Sequence, residues 1–166
     1  METTERLSLP MLLAGQAQKE ISHNEALQIL DTVVCGAVEE GPRNDQPATP
    51  VSGTAYIVGA SPTGEWSQYA HHVATFTAAG WRYVAPTHGL VLLVKSTATF
   101  AAFGTTGWEV GAVRCERLMI GGVQVVGQQS PSIAAPAGGT MVDSEARATL
   151  DQLLSALRSH GLIAAS

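Results

Sequence analysis

The sequence predicts an α+β protein: a small antiparallel β-hairpin domain, laid out as a sheet, sandwich or barrel, flanked by an N-terminal arm plus helix and a C-terminal amphipathic helix. Three observations predict it. Two segments, around 22–37 and 143–162, carry helical periodicity with capping residues. The stretch between them is rich in β-branched and aromatic residues. Within that stretch a glycine–tryptophan pattern recurs, at Thr63-Gly64-Glu65-Trp66, Ala79-Gly80-Trp81 and Thr106-Gly107-Trp108.

The organisation follows as an arm and helix at 1–41, a β-domain at 54–126, and a loop with a helix at 127–166. Residues 7–14, Leu-Ser-Leu-Pro-Met-Leu-Leu-Ala, are apolar but broken by Pro10, which reads as an extended arm. Its anchors, Leu9, Pro10, Met11, Leu12 and Leu13, either lie over their own domain or dock on a neighbour. Ser22-His23-Asn24-Glu25 reads as a capping box at the start of the first helix. The alternative start is an earlier turn over 16–21, which would make Ser22 interior. Ala26, Leu27, Leu30, Val33, Val34 and Ala37 then form one apolar face, with Gly36 and Gly41 marking the end.

The segment 41–53 holds three prolines and little apolar bulk, so it reads as a linker and the best internal boundary. Strands are expected at 56–58, 73–76, 81–84, 90–94, 99–103 and 123–126. In each glycine–tryptophan pair the glycine supplies a positive φ in a turn and the indole starts the returning strand. Arg117 to Val126 is the strongest hairpin, with Gly121-Gly122 as a primed turn. Its expected register sets Ile120 against Val123 and Leu118 against Val125.

A Pro/Gly loop at 127–139 precedes the second helix. There Asp143 is the N-cap, Glu145 suits the positive end, and Arg158, His160 and Gly161 suit the other. Ala146, Leu150, Leu153, Leu154 and Leu157 form its stripe. That stripe packs on the β-region or bundles with copies of itself.

Charged residues are only 14% of the chain, against about 25% in an ordinary soluble domain, which predicts a surface partly hidden between subunits. The net charge of -5 and the absence of a basic run disfavour nucleic acid as a partner. No 18-residue apolar run occurs and the N-terminus lacks signal-peptide character, so the expectation is a chain made in the cytoplasm that does not span a membrane. Cys35 and Cys115 sit outside any metal-ligand spacing and read as buried, reduced hydrophobes.

No nucleophile elbow or nucleotide-binding glycine run is present. His71-His72, alternating across a strand, suits a metal poorly. Glu65-Trp66 and Trp108-Glu109 would be the carboxylates of a sugar hydrolase, but an acid beside a strand-start tryptophan ordinarily faces water. The sequence therefore predicts neither catalytic residues, a metal nor a cofactor. Carbohydrate contact would fall to Tyr69, Trp66, Trp81, Tyr83 and Trp108, whose rings are otherwise the core of the β-domain.

The segments Leu9-Pro-Met-Leu-Leu-Ala-Gly-Gln-Ala-Gln-Lys-Glu20, His23-Asn-Glu-Ala-Leu27, Leu30-Asp31, Ala55 to Ala60, Thr63 to Trp66 and Gly80 to Pro86 resemble a family encoded among the structural genes of alphaproteobacterial prophages and gene transfer agents. The C-terminal part, Val125-Val-Gly127 and Val142 to Ile163, resembles a tail found on phage fibre proteins. This resemblance implies a virion protein at the particle surface, a head-spike or fibre component, and transfers no catalytic residue. It implies a homo-oligomer, with a trimer favoured and a pentamer as the alternative at a capsid vertex. Its partners would be capsid or other virion proteins, a spike fibre protein, and host surface carbohydrate if the domain is an adhesin. An envelope-glycan hydrolase is the remaining outsider. The stretch Leu90 to Phe103 departs from the family pattern.

Overall fold

The computed structural model describes residues 2–15 and 19–165. The fold is α+β, with mainly antiparallel sheets and one helix near each end. It divides into two compact units, Met1–Val113 and Arg114–Ser166. The boundary lies earlier than the expected 126. The last hairpin groups with the C-terminal helix, and the arm and first helix group with the strands that follow them.

In unit 1 the elements are α1 (Lys19–Val33), β1 (Ala37–Val38), β2 (Ala55–Ile57), a 3₁₀ turn (Gly64–Trp66), β3 (Val73–Thr77), β4 (Gly80–Val84), β5 (Val91–Val94), β6 (Thr99–Gly104) and β7 (Gly107–Val110). They build two sheets, β1-β5-β6-β7 and β2-β3-β4, in which only the β1–β5 pair is parallel. Val38, Leu92, Val94 and Ala101 from the first sheet pack with Ala55, Ile57 and Val73 from the second, so the main core lies between the sheets. Alternation explains the choice of residues: Leu92 and Val94 face inward while Val91 and Leu93 face out. The opposite face of β2 and β3 holds Tyr56, Val58 and Ala74, closed over by Trp66.

Strand β1 was not expected. The sequence places Ala37 on the helix face, but α1 stops at Val33 and Cys35 takes φ 50°. Gly36 then passes so close to Leu92 that any Cβ there would overlap the leucine side chain. Ser22 lies inside α1, which is already helical at Lys19, and Glu25 faces Arg82 at 3.8 Å. The proposed earlier turn over 16–21 falls partly on residues 16–18, outside the described residues.

Segment 41–53 is no free linker. Arg43 bridges Val58, its amide donates to the Ile57 carbonyl, and Asn44 Oδ1 accepts from the Ser61 amide, so the segment runs along β2. Of the three glycine–tryptophan pairs, Gly80 (φ 97°) and Gly107 (φ 129°) make hairpin turns as expected. The Gly64–Trp66 segment forms a 3₁₀ turn instead, because its indole drops into the core rather than starting a strand.

Unit 2 contains β8 (Leu118–Ile120), β9 (Val123–Val126) and α2 (Ser144–Ser159). Gly121 and Gly122 both have positive φ, 55° and 81°, which is the primed turn expected of the pair. Ile120 faces Val123 as expected, but a bulge at Leu118/Met119 sets Leu118 against Val126 instead of Val125. Asp143 caps α2 by accepting the Ala146 amide at 2.9 Å. Gly161 (φ 70°) closes it, with the Leu162 amide returning to the Leu157 carbonyl at 3.0 Å.

Candidate functional site

The N-terminal arm is tied to its own unit, with part of its apolar surface left open. Thr4 and Leu9 form a tight loop, with the Thr4 amide on the Leu9 carbonyl and the Leu9 amide on Thr4 Oγ1, both at 3.0 Å. The loop is tied to α1 by Asp31, only 1% exposed. Its carboxylate accepts from the Thr4 hydroxyl at 2.7 Å, the Leu7 amide at 2.6 Å and the Arg6 amide at 3.0 Å. The Arg6 guanidinium donates to the Asp31 and Thr32 carbonyls, supplying the helix end with the cation that its own last turn lacks. Further along, the Asn24 amide both donates to and accepts from the Leu12 backbone, and Gln28 reaches Glu5 and Met11. Of the expected anchors, Leu9, Met11 and Leu12 are half-buried in these contacts, while Pro10 and Leu13 remain exposed.

This packing turns much of the polar side of α1 inward. Asn24, Gln28, Asp31 and Thr32 face the domain, where the Thr32 hydroxyl meets that of Thr75 at 3.0 Å. Of its aliphatic residues, Leu27 and Val33 are half-buried, while Ile29 and Leu30 are each 46% exposed and Ile21 and Ala26 are open as well. A soluble helix ordinarily does the opposite. The outer face of the first sheet repeats the feature, with Val91, Leu93 and Phe100 exposed.

Unit 2 goes further. Leu154 and Ile163 are its only buried hydrophobic residues among those described, whereas Leu118, Ile120, Val123 and Val126 leave one hairpin face bare. On α2 the stripe splits. Leu154 is buried in its own unit and Leu157 half-buried, but Leu150 and Leu153 are 47% and 56% exposed. The helix holds its preceding loop through arginines on the Leu154 side. Arg147 donates to the Gly138 and Pro136 carbonyls, and Arg158 to the Ile133 carbonyl at 2.6 Å.

The expected sugar-contact rings mostly pack on one another. Trp66 is fully buried and offers no face to a ligand, a correction that follows from its place beneath β2 and β3. Trp81 sits edge-on to Trp66 at 5.1 Å and to Phe76 at 5.0 Å. Trp108 is half-buried against Phe103 and donates its indole N–H to the His71 carbonyl at 2.7 Å. Tyr69 and Tyr83 stack at 3.6 Å between ring centres. Burial, with the Glu65 carboxylate and Tyr69 adding to it, pushes the Tyr83 hydroxyl up to about 12.

His71 and His72 precede β3 and do not alternate along a strand as expected: His71 takes φ 65° in a turn, and the His72 ring lies edge-on to Tyr69. No three His, Cys, Asp or Glu side chains gather to hold a metal among the described residues. Cys35 and Cys115 are both exposed, not buried as expected, because one lies in the turn after α1 and the other in the extended start of unit 2. Arg43 is held by Glu40 and Asp45. Burial opposes its charge, but the Asp45 hydrogen bond and the two carboxylates raise its pKa on balance.

With this geometry in place, the comparisons fall on unit 1. A family model described as a protein of unknown function (DUF2793) matches residues 23–109, just over half of the chain. The chain belongs to the DUF2793 family. No curated protein matches it. The DUF2793 segment runs from within α1 into β7, and so takes in strands of both sheets and the aromatic cluster. It stops before unit 2.

The sequence located α1 but not the side that faces the domain, and Asp31 and Thr32 among its residues were the signal that a polar side is turned inward.

Proposed function

We propose that this chain is a non-enzymatic structural component of a phage-like particle, a head-spike or fibre element that assembles as a homo-oligomer and docks on other virion proteins. The particle role rests on the family resemblance of residues 9–110 and of the C-terminal tail. Assembly rests on one physical observation, the uncovered apolar surface.

Ile29 and Leu30 on α1, Ile120 and Val123 on the last hairpin, and Leu150 and Leu153 on α2 are uncovered apolar side chains of the kind that subunit contact covers. A subunit in a closed ring has two neighbours, which suits the favoured trimer and also a pentamer.

Docking is assigned to the outward face of α1 with the exposed Pro10 and Leu13 of the arm, whose Leu9, Met11 and Leu12 pack on their own fold. Ile29 and Leu30 carry no charge and project away from the domain. The test is incorporation into purified particles. The wild-type chain should co-purify with them. The double variant Ile29→Asp, Leu30→Asp should not, while keeping native tryptophan fluorescence. Wild-type levels of the variant in particles would remove α1 from the docking role, and absence of the wild-type protein from particles would remove the particle role itself.

The alternative, an adhesin for host glycans, draws on the half-buried rings of Tyr69, Tyr83, Trp81 and Trp108, now that Trp66 is enclosed.

A further inference from the structure

We propose that residues 114–166 fold only by associating with a second copy of this chain, through a seam of Ala146, Leu150, Leu153 and Leu157 on α2, while unit 1 folds as a monomer. The inference rests on the homo-oligomer reading above and adds to it the place and order of assembly.

The seam follows from spacing. These four residues recur at intervals of four, three and four, which aligns them along one side of a helix as in a two-heptad coiled coil. The adjoining side of α2 is already occupied by its own chain. Leu154 is buried there, and Arg147 and Arg158 hold the backbone of the loop that precedes the helix. The seam itself is left with Leu150 and Leu153 about half exposed.

A second copy is the occupant the chemistry selects. The four seam positions carry no charge. The helix outside them holds Glu145 and Asp151 against Arg147 and Arg158, so no excess of either sign favours an acidic or basic partner. A stripe of this kind is complementary to itself. Two heptads are short for a coiled coil, and the β8–β9 hairpin adds its own bare face, where Ile120 and Val123 are 63% and 65% exposed. A lone two-stranded hairpin is marginal in water. With Leu154 and Ile163 as its buried hydrophobic residues, unit 2 lacks the core that a domain of its length needs to stand alone. Unit 1, by contrast, closes a core between two sheets and a second one around Trp66.

The distribution of reporters makes the coupling measurable. All three tryptophans, Trp66, Trp81 and Trp108, lie in unit 1, while α2 supplies 16 helical residues beside the 15 of α1. The full chain is diluted from the micromolar into the nanomolar range, following mass by light scattering, helix by far-ultraviolet circular dichroism, and unit 1 by tryptophan fluorescence. On dissociation the helical signal should fall by about half, at the same concentration as the mass, with fluorescence unchanged.

The variant Leu150→Asp, Leu153→Asp should weaken association about 100-fold or more. Ser155→Asp, on the exposed opposite side, should leave it near wild type and controls for added charge. A monomer that keeps its full helical signal would overturn the coupling. An unshifted midpoint for the double variant would overturn the seam while leaving the homo-oligomer intact. A wild-type chain that is monomeric throughout would remove both.

Discussion

Replacing Asp31 by alanine should release the N-terminal loop from unit 1 and cost the unit about 3 kcal/mol. The magnitude comes from what the carboxylate holds. Thr4 is buried, so its hydroxyl keeps the bond from the Leu9 amide but loses its own acceptor. The amides of Arg6 and Leu7 lie nearer the surface, where water replaces part of what they lose. Bonds to a charged acceptor contribute about 1.5–3 kcal/mol each, and removing the carboxylate also recovers its desolvation cost, which brings the net to about 3 kcal/mol. Asp31→Asn keeps the shape and an oxygen for Thr4 and Leu7 but turns a donor toward the Arg6 amide, so about half that loss is expected. Urea unfolding followed by tryptophan fluorescence reads unit 1 alone. The alanine variant should lower the midpoint by about 2 M if the slope is about 1.5 kcal/mol per molar. A shift no larger than that of an exposed substitution, together with unchanged trypsin cleavage at Arg6, would show that the loop is not tied by this residue.

Two further outcomes follow from unit 1. Tyr83 should titrate near 12 by ultraviolet absorbance, with Glu65→Gln bringing it back toward the ordinary tyrosine value. Because the folded state holds this proton above the unfolded pKa of about 10, the contribution is intact below pH 10 and is lost as pH rises toward 12. A midpoint at the ordinary tyrosine value would show the ring to be open to water. Gly36→Ala should destabilise unit 1 by about 1–3 kcal/mol in the same urea assay, since the new Cβ overlaps buried Leu92. Combining it with Leu92→Val should restore part of the loss, and purely additive losses would refute the overlap.

Most elements of the fold are legible in the sequence because local chemistry governs them. The Asp143 cap and Gly161 end of α2, the Gly121-Gly122 turn and the Gly80 hairpin each depend on residues within a few positions of one another. The α+β class followed from these alone. Tertiary structure decided what local patterns do not encode. The two-residue β1 exists only through parallel pairing with β5, more than fifty positions away. Trp66 left its expected strand for the core because β2 and β3 leave a face to be covered. Periodicity located the apolar side of α1 but not its direction. That was decided by the buried Asp31 carboxylate, whose three hydrogen bonds from the arm require it to face inward and turn Ile29 and Leu30 to solvent. The α2 stripe divides in the same way: the leucines are alike in sequence, yet the fold buries Leu154 and leaves Leu150 and Leu153 uncovered.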